Sequence, residues 1–169
     1  MATAIMAWLV AIPLLGLATG LRALTPIAMA CWFAHLGYLP VQGTWAAWTA
    51  HTASVAVFSV LALGEYIGDK LPTTPNRIAP GPLVARLILG ALVGAIAATA
   101  LKGAGLEGAL LGIVGALIGT VGALIGAFGG FTIRRDLVEH FGSRDWPVAL
   151  VEDLVALACA VFALRVIAG

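Results

Sequence analysis

The sequence is poor in charge and in cysteine. Only 10% of its 169 residues are charged and 62% are hydrophobic, whereas soluble domains carry about 25% charged and about 45–50% apolar residues. The two cysteines, Cys31 and Cys159, lie in apolar segments and are too few for a disulfide framework or a zinc site. With a mean hydropathy of +1.07, the chain is expected to be apolar outside as well as inside. Its outer surface must then face lipid.

Sequence signatures of catalysis and nucleotide binding are also missing. The chain has no HExxH, CxxC or Walker loop and no Ser-His-Asp order. Its basic residues form no stripe that would suit nucleic acid. We therefore expect no enzyme, no metal, no cofactor and no nucleic-acid partner. Membrane lipids are the expected partners, together with either a second copy of the chain or a membrane complex.

Long apolar segments predict an all-α, polytopic membrane protein with about six transmembrane helices in a single domain, 1–169. The expected spans are residues 3–19, 24–39, 45–63, 82–101, 106–128 and 147–168. Most of these segments have the roughly 20 residues needed to cross a bilayer. The first two are short, so they either cross fully or form a discontinuous or re-entrant element.

The charged residues collect on one side of these predicted spans. The connections after spans one, three and five, together with the span ends beside them, contain seven of the nine Lys and Arg residues, Arg86 among them, and seven of the eight Asp and Glu residues. The positive-inside rule makes this the cytoplasmic side. We therefore expect a multi-pass protein of the cell membrane, with both termini on the non-cytoplasmic side.

Arg22, in the segment GLRALTP, is the only charged residue among the first 64. One interpretation is that its side chain extends to lipid phosphates and fixes the orientation of the chain. The other is that it lies inside the helix bundle at a helix break, where freed backbone groups line a polar site.

A second charged group, in GEYIGDKLP, closes the third span. Glu65 and Asp69 are four residues apart, so they share a helix face and repel each other, whereas Lys70 points about 100° away. Such a pair requires a cation beside it or a proton on one carboxylate. The cation is either an arginine from another helix, which we favour, or a metal ion.

A third charged group lies near the start of the last span. Glu152 and Asp153 are consecutive in an otherwise apolar segment, so at least one of them should face the protein interior. Arg22 and the pair Arg134 and Arg135 are the expected partners. A binding or gating site and a structural ion pair that locks helices both predict this pattern.

Glycine recurs every three or four residues along the fifth span. These residues are Gly105, Gly108, Gly112, Gly115, Gly119, Gly122, Gly126 and Gly129, and Gly90 and Gly94 lie in the fourth span. Small residues let membrane helices approach closely, and a seven-residue period predicts a left-handed crossing against one neighbour. The Gly-then-Arg segments 16–22 and 126–134 further predict two helix elbows that meet near one site.

The order TGLRALTP, GEYIGDKLP, GAFGGFTIRRDL and VALVEDLVAL resembles an uncharacterised family of small bacterial integral membrane proteins, a domain-of-unknown-function class. The similarity spans nearly the whole chain. It implies a compact helical membrane protein and brings no established activity. In many relatives a longer, more helix-like stretch follows Asp-Lys-x-Pro, whereas this chain has the proline-broken TTPNRIAPGP.

Two classes of function follow. The first is a transporter, lipid-translocating protein or channel, in which the Arg and carboxylate cluster at the cytoplasmic end binds a ligand or acts as a gate. The second is a structural or accessory subunit of a membrane complex, in which the charges lock helices and the glycine faces dock a partner. An intramembrane enzyme is the third and least favoured, because the sequence shows no nucleophile or metal signature.

Overall fold

The structure of this protein is a computed structural model that describes residues 6–69, 78–102, 105–141 and 145–169. Its fold is all-α, and no strand occurs in these ranges. The helices are α1 (Ala7–Leu21, with a π-helical start at Ala7–Ala11), α2 (Thr25–His35), a 3₁₀ helix (Trp45–Ala50), α3 (Thr52–Gly68), α4 (Pro80–Lys102), α5 (Leu106–Phe141) and α6 (Asp145–Ala168).

Three of the helices contain segments that are long and apolar enough to cross a membrane. The segments are Pro80–Lys102 in α4, Leu106–Glu139 in α5 and Pro147–Ala168 in α6. Helices α1 and α3 are shorter and apolar, and the 11 residues of α2 extend only about 16 Å at 1.5 Å per residue. The chain therefore has the fold of a helical membrane protein, with short helices in its first half.

Contacts between helices show how the first two elements run. Gly16 of α1 packs against Gly119 of α5 and Gly20 against Gly126, so these two helices are parallel. Helix α2 then returns along α6, since the guanidinium of Arg165 near the end of α6 lies 5.6 Å from the ring centre of Phe33. Helices α1 and α2 thus form a hairpin, and its tip is the short turn at residues 22–24.

The glycine face of α5 is shared by two neighbouring helices. Gly115 and Gly119 meet Gly90 and Gly94 of α4, which runs antiparallel to α5. Further along, a Cβ on Gly122 would lie 2.6 Å from the carbonyl oxygen of Pro13 in α1. The expectation of a single neighbouring helix was wrong, because the stripe consists of successive Gly-x-x-x-Gly pairs. Gly115 and Gly119 pack against α4, whereas Gly122 and Gly126 pack against α1.

The ends of the glycine stripe lie outside these contacts. A Cβ on Gly105 or Gly129 would have no neighbour within 4 Å, and Gly105 has a φ of +110° in the turn before α5. Gly108 and Gly112 are buried, and a Cβ on Gly112 would lie 3.4 Å from the Thr99 hydroxyl oxygen. Helix packing therefore uses the middle of the stripe, together with Gly16 and Gly20 of α1, which the prediction left out.

Only one of the two expected helix elbows exists. Helix α1 ends at Leu21, and Arg22 adopts extended backbone angles (φ −135°, ψ 109°). The second expected elbow, at 126–134, is instead part of α5, which continues without interruption to Phe141. Its 36 residues extend about 54 Å, well beyond the roughly 30 Å of a hydrocarbon core. The polar residues after Phe128 therefore indicate where α5 leaves the hydrocarbon core, not where the helix ends.

Candidate functional site

Arg22 lies inside the protein, at the tip of the α1–α2 hairpin. Its side chain is completely buried, so it does not extend to lipid phosphates. The turn that contains it is also largely buried, with Leu21 and Ala23 each 8% exposed. Because a buried turn removes backbone N–H and C=O groups from water, those groups need partners within the protein.

Carboxylates from two other helices surround the Arg22 guanidinium. Asp69, at the end of α3, accepts a hydrogen bond from Nη1. Oδ1 of Asp153 in α6 is 2.6 Å from Nε, and Oε2 of Glu152 is 4.0 Å from Nη2. The ring of Tyr66 lies 5.9 Å from the guanidinium carbon. Arg22 therefore links the hairpin tip to both α3 and α6.

Two further charged side chains stabilise the backbone of the turn. The carboxylate of Glu65 accepts the N–H groups of Ala23 at 2.7 Å and Leu24 at 2.8 Å, where α2 begins. Nε of Arg86 donates to the carbonyl oxygen of Gly20 at 3.1 Å, where α1 ends. An anion at a helix start and a cation at a helix end both match the helix dipole.

Glu65 and Arg86 also approach each other, with 3.7 Å between Oε1 and Nη2. Beside them, the hydroxyl groups of Thr25 and Tyr66 are hydrogen-bonded at 2.7 Å. The turn is thus supported by side chains from α3 and α4, two helices that are far from it in the sequence. This geometry matches the expectation that we favoured, in which an arginine from another helix lies beside Glu65 and Asp69.

The cluster continues to α5 through a longer ion pair. Nη1 of Arg134 lies 3.7 Å from Oε2 of Glu152. Both residues line a cleft of about 410 Å³ between the end of α1 and the facing sides of α5 and α6. The rest of its lining is apolar: Leu21, Gly130, Ile133, Leu137, Pro147, Val148, Val151 and Val155.

Of the two remaining predicted site residues, one is not described and the other lies apart from this cluster. Lys70 lies outside the described residues. The side chain of Arg135 is 52% exposed, and its Nη2 lies 3.3 Å from Asp136 Oδ1. Because α5 stays helical here, Arg135 points about 100° away from Arg134. The cluster contains the other six predicted residues: Arg22, Glu65, Asp69, Arg134, Glu152 and Asp153.

Arg86 was not among the predicted site residues and was counted only among the basic residues of the cytoplasmic side. A signal was nevertheless present, because Arg86, Gly90 and Gly94 are spaced by four and share one helix face. That face packs against α5 and α1, and Arg86 is accordingly 5% exposed. Tyr66 and Thr25 were not predicted either. An uncharged polar residue has no comparable sequence pattern that would place it at the site.

The described cluster contains more acidic than basic groups. Three guanidiniums (Arg22, Arg86 and Arg134) face four carboxylates (Glu65, Asp69, Glu152 and Asp153). Among the described residues, the cluster thus has one more carboxylate than guanidiniums (4 − 3 = 1). Among the described residues, no three His, Cys, Asp or Glu side chains are arranged to hold a metal ion.

Comparison with known proteins assigns this chain to a family whose function is unknown. No protein of curated function and no solved structure matches this chain. A family model described as Domain of unknown function (DUF4126) matches residues 9–166, nearly the whole sequence, and the chain therefore belongs to that uncharacterised family.

Proposed function

We propose that this protein is a small membrane transporter with a proton-coupled gate, and that the gate is the cluster around Arg22. The observation that supports this most directly is that three carboxylates, those of Asp69, Glu152 and Asp153, surround a completely buried arginine at a hairpin tip. Carboxylates buried in membrane proteins commonly serve proton relays and transport pathways.

The proposed gate works by breaking ion pairs. Arg22 joins the hairpin tip to α3 through Asp69 and to α6 through Asp153. Protonation of either aspartate removes one of these attractions. The hairpin tip then separates from one of those helices and opens this end of the bundle.

The position of the cluster supports a location on the cytoplasmic side. The hairpin tip, the end of α3 and the start of α6 meet there, and the connections on this side contain most of the basic residues. By the positive-inside rule we place the cluster at the cytoplasmic face of a cell membrane. Both termini then lie on the opposite side.

The second candidate is an accessory subunit whose cluster only locks helices. The ion pairs to Arg22 from two helices favour it, because a lock needs the same compensation as a gate. Docking through the glycine faces is not favoured, since Gly115, Gly119, Gly122 and Gly126 contact α4 and α1 of the same chain. A partner would have to bind elsewhere on the protein.

Proton flux in proteoliposomes tests the proposal. A potassium diffusion potential drives uptake, and a pH-sensitive dye inside the vesicles reports it. Wild-type protein should show uptake above that of empty vesicles. Asp153→Asn keeps the shape of the side chain but can neither bind nor release a proton, so it should abolish proton uptake. Glu139→Gln is the matched control, because Glu139 is an exposed carboxylate of α5.

Thermal unfolding of the same preparations separates the two candidates. A folded Asp153→Asn variant without flux supports the gate. Wild-type protein that gives no more uptake than empty vesicles refutes proton-coupled transport. Loss of folding together with loss of flux favours the lock, as does purification in fixed stoichiometry with a larger complex.

A further inference from the structure

The cleft beside Arg134 is apolar except for one cation and one anion. It lies between α5 and α6, and Gly130, Ile133 and Leu137 line one wall. Val151 and Ile133 remain 60% and 62% exposed, so the cleft is open to the surroundings of the bundle. Its volume of about 410 Å³ falls within the about 300–1,000 Å³ of small-molecule sites.

The two charged side chains define what this cleft can accept. Arg134 and Glu152 have opposite charges and both line it. An anionic head group would meet the Glu152 carboxylate, and a cationic one would meet the Arg134 guanidinium. A zwitterion with a phosphate and a primary ammonium satisfies both, because the guanidinium has five N–H donors and the carboxylate accepts N–H bonds.

We propose that the cleft is a binding site for one zwitterionic membrane phospholipid with a primary ammonium, a phosphatidylethanolamine. Its phosphate pairs with Arg134 and its ammonium with Glu152. One acyl chain lies along Val148, Val151 and Val155, which are spaced three and four residues apart on one face of α6. The site shares Arg134 and Glu152 with the cluster that forms the proposed gate, but lipid binding requires no movement of Arg22.

Other bilayer lipids fit the same charges less well. A phosphatidylglycerol head group brings a negative charge beside Glu152 and has no ammonium group that could offset it. A phosphatidylcholine head group has a quaternary ammonium with no N–H to donate to that carboxylate. The expected order of retention is therefore phosphatidylethanolamine first, with both other lipids well below it.

Native mass spectrometry of the full chain tests this site. The protein is released from mixed micelles that contain phosphatidylethanolamine, phosphatidylcholine and phosphatidylglycerol with identical acyl chains, and retained lipids are counted. Wild-type protein should keep one phosphatidylethanolamine. Arg134→Gln should lower this retention about tenfold, the effect of losing one charge-assisted hydrogen bond. Arg135→Gln, at the exposed arginine next to it, should leave retention unchanged.

A second pair of variants leaves every charge in place. Val151→Trp fills the cleft and should reduce retention, whereas Leu150→Trp, at an exposed residue outside the lining, should not. If Arg134→Gln fails to fold, the comparison of Val151→Trp with Leu150→Trp still tests whether the lipid binds in the cleft. Equal retention of the three lipids overturns the proposal, as does equal loss in both members of either pair. Proton flux is measured separately, so failure of the lipid site and failure of the gate remain distinguishable.

Discussion

Gly119 is a position at which a single added methyl group should strongly destabilise the protein. It lies where α5 meets α4, and its carbonyl group also faces Gly16 of α1. A Cβ at Gly119 would contact the Gly90 carbonyl oxygen and lie 3.2 Å from the Cα of Gly94. These neighbours are backbone atoms, so they cannot rotate away. Gly119→Ala should therefore force α4 and α5 apart.

Gly129 provides the matched control, because it lies in the same helix and a Cβ there would have no neighbouring atom within 4 Å. Alanine is favoured over glycine in a helix by about 1 kcal/mol, and both substitutions gain that amount. Overpacking costs about 1–3 kcal/mol and applies only to Gly119→Ala. The two free energies of unfolding should thus differ by about 1–3 kcal/mol. Gly112→Ala should fall between them, since its Cβ would lie 3.4 Å from Thr99 Oγ1.

Unfolding in mixed micelles with increasing SDS, followed by circular dichroism, measures these differences. Gly129→Ala should unfold at the same or a higher SDS fraction than wild type, and Gly119→Ala at a lower one. Equal shifts for the two variants would refute the packing argument, because the gain in helix propensity is common to both. The reverse order would mean that α4 and α5 do not meet at Gly119.

Two further predictions concern the hairpin tip. Arg22→Gln should lower the free energy of unfolding by about 3–5 kcal/mol, because it leaves buried carboxylates without their cation, whereas Arg135→Gln should change it by less than about 1 kcal/mol; SDS unfolding of both variants checks this. Glu65→Gln should weaken the bonds to the amides of Ala23 and Leu24 by about 1.5–3 kcal/mol. Faster hydrogen exchange at those two amides is the expected result, and unchanged exchange would contradict the role assigned to Glu65.

Much of the candidate site could be predicted from the sequence because charge is rare in this chain. Arg22 stands alone in its apolar surroundings, and Glu152 and Asp153 interrupt an apolar helix. Each would be costly in lipid, so each must face a partner inside the protein. Any charged residue that lies well within an apolar segment should likewise face a partner inside the protein. Which acidic residue pairs with which arginine does not follow from the sequence.

The features that could not be predicted are the point at which α5 ends and the identity of the helices that pack against its glycine stripe. Hydropathy detects the change from apolar to polar residues after Phe128, but helix α5 continues through it. As a result Arg134 and Arg135, adjacent in sequence, have different environments. The glycine pattern indicates close packing but does not say that two helices share it, since both neighbours also present Gly-x-x-x-Gly pairs.

The support of the hairpin tip by distant residues has a consequence for biosynthesis. Arg22 and the turn amides are made early, whereas their partners Glu65, Arg86 and Asp153 are made later, the last of them 153 − 22 = 131 residues afterwards. At about 5–20 residues per second, the wait is on the order of 10 s. During that time the first two helices cannot enter lipid with all of their partners in place, because only Glu65 and Asp69 are made before α4. The amino-terminal hairpin should therefore be retained by the insertion machinery until the last helix has been synthesised.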